Sequence, residues 1–306
     1  MYDMMKKQNF GVEIELTGIT REQAAKVIAK HFGTTASYLG TYYKTYGAPD
    51  RKGRMWKAMS DSSIQTYHKD GTRADSTYAC EVVTPILQYE DMDDLQNIVR
   101  ELRKAGAIAN NSCGIHVHVD GKNHTAESLT RLINFATGRQ DLFYEALEIG
   151  ERANQWCHKM NKALLKAMKS SDNSRESLER IWYSEANDGY RGGINHEHYN
   201  RTRYHGINLH AFFTKGTVEF RLFNGTTHAG KIKAYVQFCL AMSAWALDSN
   251  ETKLHFKSCK DYTPEQKERL MTRVLAKRLG LSGPEFKTCR LHLTAPFRPE
   301  AVNDAA

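Results

Sequence analysis

The chain has 306 residues, 25% charged and 41% hydrophobic, which is enough to bury a sizeable core and excludes a disordered or low-complexity protein. Its formal net charge of +8 and pI near 9.0 fit acidic partners such as nucleotide phosphates, a polycarboxylate or nucleic acid. No apolar region follows Lys6-Lys7 and no apolar run is long enough to span a bilayer, and the six cysteines lack Cys-x-x-Cys spacing, so a cytoplasmic chain with free thiols and no membrane association is expected.

In chain order, residues 9–16 alternate Phe10, Val12, Ile14 and Leu16 with Gly11, Glu13 and Glu15, the period of a half-buried strand. Thr20 followed by Gln23 forms a capping box for a helix ending at Gly33. Residues 36–46 and 55–63 read as a hairpin punctuated by Gly47-Ala48-Pro49-Asp50. A strand over about 78–86 precedes a helix with Met92, Leu95, Val99 and Leu102 as its apolar stripe. Residues 113–120 form another half-polar strand, and 125–168 turn helical. Residues 170–200 are polar and read as an exposed excursion or lid. Two strands, about 204–213 and 216–223, form a hairpin around Thr214-Lys215, and an apolar helix covers 231–248. Pro264 behind Thr263 opens a basic helix stopped by Gly280, after which Pro284, Pro296 and Pro299 predict irregular chain. The expected organisation is one α+β domain over 1–250 and an appendage over 251–306.

The chemistry sits on strand faces. Side chains two apart on a strand share a face, so Glu13 and Glu15 point together, as do His116 and His118, and Glu219 and Arg221. Paired carboxylates are tolerable in water or around a hard cation such as magnesium. Paired imidazoles suit a metal or a phosphate, and their taste for zinc keeps a zinc-dependent hydrolase using His116 and His118 in view. Glu219 and Arg221 can simply pair with each other, or the carboxylate can hold a metal while the guanidinium forks onto a phosphate. Glu81 is a lone carboxylate in an apolar strand and needs a partner. Each motif alone also describes an ordinary exposed strand. Four strands that all set ionisable groups opposite an apolar face do not.

Six motifs then carry a resemblance: Phe10-Gly11-Val12-Glu13-Ile14-Glu15, Asp61-Ser62-Ser63, Glu81-Val82-Val83-Thr84-Pro85, Cys113-Gly114-Ile115-His116-Val117-His118, Arg203-Tyr204-His205-Gly206-Ile207-Asn208 and Thr217-Val218-Glu219-Phe220-Arg221. In this order, over about residues 8–240, the chain resembles the amidoligase family, grouped with glutamine synthetase and gamma-glutamylcysteine ligase as carboxylate-amine ligases. The resemblance implies a curved antiparallel sheet flanked by helices, a glutamine synthetase-like catalytic domain. It implies ATP and Mg2+, or Mn2+, as cofactors and amide or isopeptide bond formation through an acyl phosphate. It would place Glu15 and Glu81 on one metal, and Glu13, His116 and Glu219 on another. His118 and Arg221 would contact ATP phosphates, and Arg203 and Asn208 would line the phosphoryl-transfer site. The substrates would be a carboxylate and an amine, on an amino acid, a peptide or a protein. A basic nucleic-acid-binding module competes on charge and on the aromatics of 38–46, but the acidic faces would repel a phosphate backbone.

Overall fold

The structure is a computed structural model, and it describes residues 2–186, 193–251 and 258–298. The chain packs as two compact units. Lys7–Val117 with Phe223–Val236 form one; the described residues of Met1–Lys6, His118–Leu222 and Gln237–Ala306 form the other. The architecture is mixed α/β around an eight-stranded sheet with helices, and the five strand pairs with described register are all antiparallel.

In the first unit, β1 (Phe10–Leu16) buries Phe10, Val12, Ile14 and Leu16, as the alternation predicts. Helix α2 (Arg21–Phe32) begins at the expected capping box: Thr20 Oγ1 accepts from Gln23 N–H and Gln23 Oε1 accepts from Thr20 N–H. Gly33 ends it in the left-handed region at φ 70°. The next strands are β2 (Ser37–Tyr38), β3 (Tyr46–Pro49) and β4 (Met55–Met59). The hairpin is present, but its turn is 50–54. Gly47 to Pro49 belong to β3, where Gly47 pairs with Lys57 and a Cβ would collide with the Met55 and Leu39 side chains. A crowded position, rather than a turn, accounts for this glycine. β5 (Cys80–Val83) is shorter than the expected 78–86, and α3 (Met92–Lys104) buries its predicted stripe. Helix α2 packs on β3, β4, β5 and α3.

Strand β6 (Gly114–Asp120) passes from this unit into the other, which also holds α1 (Tyr2–Lys6), α4 (Ala126–Thr137), α5 (Gln140–Ala146), α6 (Lys162–Lys169) and α7 (Arg175–Glu185). Helix α7 lies within the stretch predicted to be an exposed excursion. Ser174 caps it, and Leu178, Trp182 and Tyr183 are buried. Residues 187–192 of that stretch lie outside the described residues. β7 (Ile207–Asn208) pairs with β8 (Thr217–Asn224), but of the predicted 204–213 strand only these two residues are strand, and its end is taken by α8 (His210–Lys215). Leu209, Ala211 and Phe212 are buried and Gly216 stops the helix at φ 75°. That glycine is a helix stop rather than the exit of a two-residue hairpin. α9 (Ala229–Asp248) is the expected apolar helix. Thr263 caps α10 (Pro264–Arg273) through the predicted box. Pro284 then opens a 3-10 turn leading into α11 (Lys287–Thr294), which buries Cys289 and Leu293, so residues 284–297 are not irregular. Proline suits a first helical turn because the N–H it lacks has no partner there. Pro299 lies outside the described residues. Strand order within the first unit is β2-β3-β4-β5-β1, and β8 lies beside β7 in the other. All six cysteines are buried and none forms a disulfide. Among the described residues, no helix is long and apolar enough to cross a membrane.

A buried histidine ties α4 to α9. His124 Nδ1 lies 2.9 Å from Ser128 Oγ and Nε2 lies 2.8 Å from Ser243 Oγ. Burial, aided by Arg131, lowers its pKa from 6.5 to about 4. Above pH 6.5 native and unfolded chains are both neutral here and the stabilisation is complete. Below it the unfolded chain takes a proton that the native one refuses, so stability falls until the native imidazole titrates near 4. The expected loss over that window is roughly 3 kcal/mol. Urea unfolding at pH 7 and pH 4.5 checks it: a His124→Gln chain should show a correspondingly flatter pH dependence, and an unchanged slope would refute the assignment.

Candidate active site: two clusters on strand faces

The first cluster lies wholly in the Lys7–Val117 unit. Antiparallel register sets Glu15 directly opposite Glu81 and Glu13 opposite Val83. Like charges in directly opposed positions destabilise a sheet, yet this one places two carboxylates so. His116 Nδ1 is 3.0 Å from Glu13 Oε2, and its Nε2 is 3.7 Å from Glu15 Oε1. The backbone N–H of Gly114 donates to Glu15 Oε2 at 2.6 Å. Glu15 and His116 are buried, while Glu13, Asp61 and Glu81 are half-buried. Ligand atoms of Glu13, Glu81 and His116 lie within 4.8 Å of one another, and so do those of Glu15, Asp61 and Glu81. Glu81 is common to both groups. Four carboxylates and one imidazole suit a hard divalent cation, which prefers oxygen ligands in number. Asp61 is not among the residues expected from the sequence to hold a metal because it stands in a loop, where no strand period reveals its direction; only its place in the Asp61-Ser62-Ser63 motif marks it.

The second cluster lies in the other unit, around β8. Asn208 is the register partner of Glu219, and its Nδ2 donates to Glu219 Oε2 at 2.5 Å. Arg221 Nη1 donates to Glu219 Oε1 at 2.7 Å, and His118 Nε2 stands 3.8 Å from the same oxygen. Glu219 and Arg221 therefore do pair, the simpler of the two arrangements that their spacing allowed. His118 Nδ1 meets Thr217 Oγ1 at 2.9 Å, and Arg221 Nε donates to Trp156 O at 3.3 Å. Asn208, Glu219 and Arg221 are 1%, 3% and 4% exposed, so each charge is compensated by geometry rather than by solvent. Gly206 makes the close approach of this segment feasible: a Cβ there would fall 2.4 Å from Leu222 Cδ2 and 2.7 Å from Tyr144 OH. The Asn208 carboxamide is oriented by Glu219, which leaves its buried Oδ1 without a hydrogen-bond partner among the described residues.

Arg203 does not join Glu219. It donates to His198 O at 2.8 Å, and its guanidinium lies 5.7 Å from the Tyr204 ring. The Arg221 guanidinium lies 5.9 Å from that same ring. Two cations on one aromatic ring make a setting that an anion would relieve. Thr217 was legible in hindsight, two residues before Glu219 on the same strand face. Trp156 was not, because it acts through a backbone carbonyl.

The fold and the two clusters thus set strand-borne carboxylate and imidazole groups, with a buried arginine, on a mixed α/β scaffold. The family model described as "Putative amidoligase enzyme" matches residues 6–243, and the chain belongs to that family. Among curated proteins no match is found.

Proposed function

We propose that this chain is an ATP-dependent ligase that joins a carboxylate to an amine in the cytoplasm, using Mg2+ or Mn2+. The observation that carries the reading is Glu81, shared by two groups of oxygen-rich ligands on the face of one sheet. Family membership supplies the reaction class. A carboxylate is a poor electrophile because its oxide leaving group does not depart at neutral pH. Transfer of the ATP γ-phosphoryl group to a carboxylate oxygen forms an acyl phosphate and ADP; attack by the amine then forms the C–N bond and expels phosphate, with one proton lost from nitrogen. Bound divalent cations would neutralise polyphosphate charge during the transfer. In this assignment Glu13, Glu15, Asp61, Glu81, His116 and Glu219 hold the cations. His118, Arg203 and Arg221 meet phosphate oxygens, and Asn208 keeps Glu219 oriented. Fixed donors and ligands of this kind lower the barrier because they need no reorganisation when charge moves.

The test is Mg2+-dependent ADP release from ATP by the full chain, screened against pools of amino acids and peptides with hydroxylamine as a small nucleophile. The expected result is hydroxamate formation that requires ATP and an acid together. Hydroxamate formation without ATP, or none with any acid alongside absent nucleotide binding, would refute the reading.

A further inference from the structure

Both oxygens of Glu219 already accept hydrogen bonds, Oε1 from Arg221 Nη1 at 2.7 Å and Oε2 from Asn208 Nδ2 at 2.5 Å. The imidazole Nε2 of His118 stands 3.8 Å from Oε1. A guanidinium on that same oxygen stands where a divalent ion would, and the two positive charges repel. They compete for one carboxylate.

Asn208 and Arg221, which both donate to Glu219, differ in freedom. Asn208 is fixed by its register pairing with Glu219 and by the tight packing at Gly206, so its bond to Oε2 persists. Arg221 is long, its Nε bond to Trp156 O is a stretched 3.3 Å, and the Tyr204 ring beside it also carries Arg203. An oxyanion between these guanidiniums would draw Arg221 towards a better acceptor, since a phosphate takes a bidentate fork. Resting on the ligase reading above, we infer that Arg221 is an exchangeable cap on Glu219: it holds Oε1 until an oxyanion draws the guanidinium away, and only then does Glu219 accept a divalent cation. Anion and cation thus bind this cluster with positive, reciprocal coupling. Cation loading at Glu219 without a phosphate is disfavoured, and an order of assembly is built into one strand.

The test titrates the full chain with Mn2+, read by the electron paramagnetic resonance of free Mn2+, with and without sulfate, a tetrahedral oxyanion that holds Mn2+ weakly in solution. Sulfate should tighten one class of Mn2+ site about tenfold or more in the native chain. Arg221→Met should give the same tightening without sulfate and none further with it, and Arg221→Met combined with Glu219→Gln should abolish that site. Should Arg221→Met fail to fold, as judged by thermal unfolding, the native chain alone decides: Mn2+ affinity indifferent to sulfate overturns the exchange. Mn2+ held by the Glu13, Glu15, Asp61 and Glu81 cluster with no sulfate-responsive site overturns the exchange and leaves the ligase reading standing. No Mn2+ bound at all overturns both.

Discussion

Glu81→Gln is expected to lower Mg2+-dependent ADP release by about 10²–10³-fold, while the melting temperature stays level or rises. The two effects have one cause. Glu81 faces Glu15 across β1 and β5 and is the carboxylate common to both ligand groups. Removing its charge withdraws one oxygen anion from each cation position, and it relieves the repulsion that the register forces on the metal-free chain. The measurement pairs steady-state kinetics with thermal unfolding in chelator and in Mg2+. In chelator the variant should equal or exceed the native chain; in Mg2+ the native chain should gain and the variant should not. A variant that is active at the native level, or one that simply melts early in chelator, would remove Glu81 from the proposed machinery and make it a structural residue.

Glu219→Ala should be the most damaging single change to stability, at about 3–5 kcal/mol, because it strips a buried guanidinium of its carboxylate. Arg221 is 4% exposed, so solvent does little to compensate it. Glu219→Gln retains an acceptor for Arg221 and should cost less. The double change Glu219→Leu with Arg221→Met removes both charges together and should recover most of the lost stability without recovering activity. Urea unfolding of the native chain, Glu219→Leu, Arg221→Met and the double variant gives the coupling directly. Single and double variants with equal losses would mean that the pair contributes nothing as a pair, and the cluster would have to be explained by packing.

How much of this could be read without a fold differs from element to element. The β1 and β6 alternations and the Thr20 and Thr263 capping boxes are local signals, and the structure shows each where expected. Signals of that kind depend on neighbours within four residues, which the sequence displays. Failures came where one residue type serves two local purposes. Gly47 looked like a turn residue and sits in a strand under crowding side chains; Gly216 looked like a hairpin exit and caps α8. Pro284 looked like a breaker and starts a helical turn.

The same division applies to the candidate site. Sequence alone determined which side chains share a strand face, since a period of two fixes direction, and it marked Glu13, Glu15, Glu81, His116, His118, Glu219 and Arg221 as the residues of interest, with Arg203 and Asn208 added by the family resemblance. Only tertiary structure decided their partners. Strand register put Glu81 against Glu15, and Asn208 against Glu219. A loop brought in Asp61, and packing turned Arg221 onto Glu219 and left Arg203 on Tyr204. Register and loop path are set by burial summed over whole elements, a long-range quantity that no local pattern of residues contains.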